Sequence, residues 1–175
     1  TRSDGDIREV MHILFRLDGF WSPENRRARI KSPVEFGIGL YQRLGVALDS
    51  ETLRALSGAL ANMGQTVLSP PDVAGYPDGL EWAGTSSLLS RYNAAYVFAY
   101  ALPAARVNAL LATLDIATPR RLLDTMLQRL GPVELGAASH DAILRYLESG
   151  GYQARNTVIV QAKARGALHL IAATP

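Results

Sequence analysis

"SPVEFGIGLYQRLG", Ser32 to Gly45, is the stretch that decides the fold. Ser32 suits a helix cap, Pro33 fits the first helical position, where its missing N–H costs nothing, and Glu35 reaches back to the amide of the cap. Val34, Ile38 and Tyr41 lie on one face, with Leu40 and Leu44 beside it, which is the period of an α-helix. Gly45 is a C-terminal stop. Gly37 and Gly39 each weaken such a helix by about 1 kcal/mol relative to alanine. Close approach of another helix is the expected reason for both.

The same grammar repeats on either side. Toward the N-terminus, Ile7, Val10, Met11, Leu14 and Leu17 fall at helical spacing, Ser3 and Asp6 have capping-box form, and Gly19 ends the helix predicted over 3–17. The aromatic pair Phe20-Trp21 is expected to plug the core. Glu24, Arg26, Arg27, Arg29 and Lys31 read as a solvated connector or short helix. Toward the C-terminus, Asp49 or Ser50 caps a helix with the seam Leu53, Leu56, Leu60 and Met63, closed by Gly64. Thr85 is the expected cap of a helix to about Leu102, with Leu88, Leu89, Tyr92, Tyr96 and Ala99 as its buried face. Further helices open at Pro103, at Thr118-Pro119 and at Ser139, and the last runs from about Asn156 to Ala172. Thr157–Val160 is β-branched, the one candidate for a strand, but its alanine-rich continuation favours helix. The expectation is an all-α bundle of seven to eight helices, with at least ~55% helix and under ~8% strand. It forms one domain over 1–175, with 1–102 and 103–175 as a possible subdivision.

The totals exclude several classes of function. Eighteen basic residues are scattered among sixteen acidic ones, so the chain has no polybasic footprint and no nucleic-acid partner is expected. There is no cysteine, which removes disulfides and thiolate chemistry. His12, His140 and His169 stand far apart, without metal-ligand spacing, so no metal is expected. No Gly-x-Ser-x-Gly elbow, phosphate-binding loop or dinucleotide fingerprint occurs, and no cofactor is expected. The longest apolar run, Ala94 to Leu102, is too short to span a bilayer, and no transmembrane segment is expected. The chain opens at Thr1, which suggests a piece of a longer protein.

One segment breaks the helical pattern. "GQTVLSPPDVAGYPDGLEW", Gly64 to Trp82, holds Pro70, Pro71 and Pro77, which remove backbone freedom. Gly75 and Gly79 supply the positive φ that tight turns need. Asp72, Asp78 and Glu81 have no basic residue near them between Gly64 and Ser90; they match no calcium loop and read as turn caps. A loop so built is expected to be ordered and tied to the helix at Ser32, with Arg91 bonding loop carbonyls or Asp72. The candidate functional or loop-anchoring residues are Lys31, Glu35, Gln65, Asp72, Tyr76, Trp82, Arg91 and Asn93.

These residues carry a resemblance. Phe20-Trp21, the Lys31-Ser32-Pro33-x-Glu35 helix start, the Gly64-Gln65 step, Pro70-Pro71-x-Val73-x-Gly75, Gly79, Trp82 and Arg91-x-Asn93 strongly resemble the bacterial domain-of-unknown-function family DUF1800, in its C-terminal portion. Tyr76 stands where that family commonly has tryptophan, and the closing helix lacks the usual Glu and aromatic continuation. The resemblance implies an extracytoplasmic protein with a protein partner, either an N-terminal half of the same protein or a sulfatase-like neighbour. The leading expectation is a non-enzymatic interaction or scaffold module. The alternative is a hydrolase-like or ligand-binding protein with a pocket around the PPDVAGY loop. An enzyme site needs a concave pocket with converging polar groups; a docking module pairs those groups with each other and exposes apolar surface.

Overall fold

The computed structural model describes residues 5–25, 28–131 and 133–174. It is 66% helical, with eight α-helices and no strand among the described residues. The contacts divide the chain into two units, 1–30 and 31–175.

In the first unit, α1 spans Ile7–Leu14 and begins where the Asp6 carboxylate accepts from the Arg8 amide at 2.8 Å. The other proposed cap, Ser3, lies outside the described residues. No residue of α1 is buried. The Phe20-Trp21 pair does not plug a core: Trp21 is 69% exposed. The chain after α1 folds back on itself instead. Phe20 sits edge-on to both Phe15 and Trp21 at 5.1 Å, and the Trp21 indole N–H donates to the Phe15 carbonyl at 2.7 Å. Local partners thus satisfy the rings and the indole without burying them.

The second unit holds α2 (Pro33–Leu44), α3 (Ser50–Asn62), α4 (Thr85–Tyr100), α5 (Ala104–Leu111), α6 (Pro119–Leu130), α7 (Ala137–Glu148) and α8 (Thr157–Ala173). α4 and α8 make the most extensive pairing; α3 packs on α4, while α7 packs on both α6 and α8. The cap at Ser32 forms as the sequence predicts, Thr118 caps the helix expected to open there, Asp49 and not Ser50 caps α3, and Asn156, the expected start of the last helix, is its cap. At α8 the Asn156 side chain accepts from the Ile159 amide at 3.2 Å, so the β-branched Thr157–Val160 is a first helical turn. Two caps differ. α4 starts from Gly84, with Thr85 already its first residue, and α7 starts from Gly136, less than one turn before the expected start at Ser139.

The core centres on Phe98, fully buried on α4. Tyr41 of α2 sits edge-on to it and donates its hydroxyl to the Phe98 carbonyl at 2.8 Å; burial pushes the phenol up to about 12. A Cβ on Gly37 would fall 2.8 Å from the Phe98 ring, so this glycine does serve close approach. Gly39 does not, since a Cβ there would meet nothing within 4 Å.

α4 turns a different face inward from the one expected. Ala94, Ala95, Phe98 and Ala99 are buried, while Leu88, Leu89, Tyr92 and Tyr96 are exposed. The reason is distance. Ala164 and Ala167 of α8 are buried too, and small side chains on both helices let the two backbones approach and pack at interior density. Of the expected inward residues, only Ala99 is small enough for that seam.

No single described helix is long and apolar enough to cross a membrane. α4 and α5 together have the length and composition, but the chain bends by 84° between them.

Candidate functional site

The segment between α3 and α4 is anchored at its two ends and in its middle. It leaves α3 at Gly64, whose φ of +92° reverses the chain. Gln65 follows, its amide donating to the Leu60 carbonyl at 3.0 Å. Its side-chain carbonyl accepts from the Val34 amide at 2.9 Å. That amide belongs to the first turn of α2, where N–H groups have no intrahelical partner. Two more donors there are met by the Ser32–Glu35 capping box, at 3.3 and 2.8 Å. The loop therefore helps to cap α2.

In the middle, the Tyr76 hydroxyl accepts from the Ser69 amide at 2.9 Å and donates to the Thr66 carbonyl. The Asp72 carboxylate accepts from the Ala74 amide at 2.7 Å, within a turn closed by the Asp72–Gly75 bridge. Asp78 likewise accepts from the Gly79 amide at 2.7 Å. At the far end Trp82 is buried, 3% exposed, in a 3-10 turn over Gly79–Ala83. Its ring lies 3.7 Å from where a Cβ on Gly64 would be, so entrance and exit of the loop meet.

Arg91, two turns into α4, joins these parts. Its Nε donates to the Trp82 carbonyl at 3.2 Å and one Nη donates to the Lys31 carbonyl. Its guanidinium lies 5.7 Å over the Phe36 ring, and burial lowers its pKa from the ordinary value. A planar fork with fixed donors suits this double carbonyl contact better than a lysine would. Arg91 does not reach Asp72, which is spent on its own turn.

Of the eight candidate residues, Lys31, Glu35, Gln65, Trp82 and Arg91 are thus brought together where the loop meets α2 and α4. Tyr76 holds the interior of the loop, Asp72 holds one turn, and Asn93 is exposed on α4. Six candidates, Glu35, Gln65, Asp72, Tyr76, Trp82 and Arg91, act through backbone bonds or burial, which leaves few polar groups converging on a common point. Lys31 and Glu35 do share a shallow, open cleft of about 410 Å³ with Gly39, Gln42 and Arg43. Arg43 is committed elsewhere as well: its guanidinium donates to the Leu130 carbonyl at the end of α6, at 2.5 Å. A smaller cleft of about 100 Å³ lies between the end of α2 and helices α5 and α6, with Arg106 and Arg129 in its wall. Among the described residues no group of three His, Asp or Glu side chains is placed to hold a metal ion.

The loop also carries residues that the sequence reading passed over. Leu68 has φ of +63°, a left-handed conformation that costs a non-glycine residue about 1–2 kcal/mol, and its side chain is 94% exposed. Val73 is fully exposed and Leu80 is 83% exposed. Three branched apolar side chains thus stand in solvent on a segment whose backbone is fixed by hydrogen bonds. Only the proline restriction on Ser69 hinted at unusual geometry nearby.

With this geometry in place, the chain can be set against known families. The model described as "Protein of unknown function (DUF1800)" matches residues 1–175. The chain belongs to the DUF1800 family. The match runs through Pro103–Gly151, where the signature residues thin out, as well as through the DUF1800 loop and the helix start at Ser32. No curated protein matches the chain, and no solved structure matches it.

Proposed function

We propose that this DUF1800 chain is a non-enzymatic interaction module, acting outside the cytoplasm, whose docking element is the loop over 65–84. One observation carries the reading: Leu68, Val73 and Leu80 are exposed on a segment pinned by Gln65, Tyr76, Trp82 and Arg91. A leucine held in a left-handed conformation and turned to water gains nothing for the fold, and such local cost gathers at functional sites. The polar candidates meanwhile bond to backbone, which fits anchoring better than acid–base work. The partner is a protein with an apolar pocket; a sulfatase-like neighbour is the specific candidate that the family resemblance supports. The extracytoplasmic placement rests on that resemblance alone.

The test is copurification of the tagged chain with a candidate partner, using wild type and a Leu68→Asp/Val73→Asp/Leu80→Asp variant. The variant should keep its helix content and lose the partner. The competing reading takes the open cleft at Lys31, Glu35, Gln42 and Arg43 as a ligand site. If Lys31→Ala/Gln42→Ala abolishes binding while the loop variant does not, the cleft reading replaces this one.

A further inference from the structure

The C-terminal ends of α2 and α6 exchange arginines. Arg43, in the last turn of α2, lays its guanidinium against Gly131 at the end of α6: a Cβ there would fall 2.5 Å from Nη1, and that nitrogen donates to the Leu130 carbonyl at 2.5 Å. Arg129, in the last turn of α6, lays its own guanidinium against Gly45 at the end of α2, where a Cβ would fall 2.7 Å from Nη2. The exchange is complete on one side only. Arg129 has no hydrogen-bond acceptor and no acidic partner among the described residues. The end of α2 does not depend on it, because the Tyr41 and Gln42 carbonyls already accept from the Val46 and Gly45 amides, at 2.9 and 3.1 Å.

This unclaimed guanidinium lines the cleft of about 100 Å³ between the end of α2 and helices α5 and α6. Arg106 of α5 lines it as well, and no carboxylate does. Arg106 reaches Asp49 outside the cleft, but only at 3.5 Å, beyond the usual 2.7–3.2 Å of a hydrogen bond, and both side chains are 43% exposed. Such a pair is loose and readily shared. The Thr113 hydroxyl donates to the Leu110 carbonyl at 2.7 Å and adds no charge. Leu44, Val46 and Leu110 give the cleft a buried apolar floor, beside which charges are less screened than in open water. The negative end of α2 sets about half a charge against an anion here, and two guanidinium groups outweigh it. Two cations with no anion between them repel each other; a bound anion turns that repulsion into attraction.

We propose that this cleft binds a phosphoryl group, held by Arg129 from α6 and Arg106 from α5. The number of forks selects the anion. A carboxylate has two oxygens, and one guanidinium takes both. A phosphoryl group offers three terminal oxygens and close to two negative charges, so it can meet forks from two separate helices. The size agrees: the cleft is several times the roughly 30 Å³ that one water occupies in the liquid, enough for a phosphate group and too small for a bulky ligand. Gly45 contributes by what it lacks, since a side chain there would displace the Arg129 guanidinium. The site shares no residue with the loop over 65–84 or with the cleft at Lys31 and Glu35, so it stands or falls apart from the docking function.

The test is an NMR titration of the whole ¹⁵N-labelled chain at constant ionic strength, with inorganic phosphate, glycerol 3-phosphate and, as the carboxylate control, acetate. Either phosphate should shift the Gly45 and Val46 amides and the Nε–H signals of Arg106 and Arg129, saturating with a Kd of about 1 mM. A response to both phosphates points to a phosphate monoester as the ligand, and a response to inorganic phosphate alone points to the free anion; each supports the site. Arg129→Gln should weaken binding about tenfold, the worth of one charge-assisted contact. Arg129→Lys keeps the charge without the fork and should fall between that variant and wild type. Asp49→Asn still caps α3 and releases Arg106, so it should bind more tightly. Arg145→Gln loses the same charge from an exposed position on α7 outside the cleft and should bind as wild type does. Because Arg129 is exposed and holds no bond, its variants should keep the wild-type melting temperature. The proposal is overturned by the absence of a saturable shift up to about 10 mM phosphate, by acetate binding as tightly as phosphate, or by Arg145→Gln weakening binding as much as Arg129→Gln. Loss of phosphate binding in Lys31→Ala/Gln42→Ala would move the site to the other cleft and overturn it as well.

Discussion

The α4–α8 pair and the loop that precedes α4 are held by different physics. In the helix pair, order comes from burial. Phe98, Ala95, Ala99 and Ala167 are fully buried, and the backbone hydrogen bonds are internal to the helices. In the loop, order comes from a few long-range anchors. Gln65 reaches Val34, Arg91 reaches both Trp82 and Lys31, and only Trp82 is buried, while Leu68, Val73 and Leu80 face water. A core distributes its stability over many contacts, so it tolerates the loss of any one anchor but resists a void. The loop concentrates its order in single residues and leaves its tip unconstrained by packing, which is what a segment needs if its side chains are to meet something else.

Four measurements break or sharpen this contrast. The largest effect belongs to the core: Phe98→Ala should cost about 4 kcal/mol in urea unfolding, as expected for a fully buried aromatic with three helices against it. Next is the loop's one buried anchor. Trp82→Ala should cost about 3 kcal/mol, and a loss below about 1 kcal/mol would show that the loop is not anchored by burial at all.

The third is a pH effect confined to the core. Tyr41 is stabilised in its neutral form, with its pKa raised from 10.0 to about 12 by desolvation. Its contribution is therefore complete below about pH 10 and is lost as pH rises toward 12, amounting to roughly 2 kcal/mol. Tyr41→Phe should flatten that alkaline decline, at a cost of about 1 kcal/mol at neutral pH for the lost bond to the Phe98 carbonyl. An unchanged alkaline limb would place the titrating group elsewhere. The smallest effect has the opposite sign. Leu68→Gly should raise stability by about 1 kcal/mol, because it removes left-handed strain and gives up no burial. A destabilised variant would mean that Leu68 packs in the folded protein and is not an exposed anchor.

The sequence by itself determined the helices and the existence of the loop. Capping and stopping act over three or four residues, so Ser32 with Glu35, Asp49 and Thr118 could be read in place, as could the stop at Gly45. Even the loop's turns were legible, since Asp72, Asp78, Gly75 and Gly79 act on their immediate neighbours. Only the tertiary structure decided which face of α4 is buried. Periodicity groups residues into faces, but Leu88, Tyr92 and Tyr96 form one face as well as Ala94, Ala95 and Phe98 form another. The choice lay with α8, whose own small residues admit only a close neighbour. The same holds for the anchors. Arg91 was recognisable as a donor, yet its acceptors are carbonyls 9 and 60 residues away, and every residue has a carbonyl. Side-chain identity marks what a residue can offer; the acceptor it finds is set by which backbone the packed helices bring within reach.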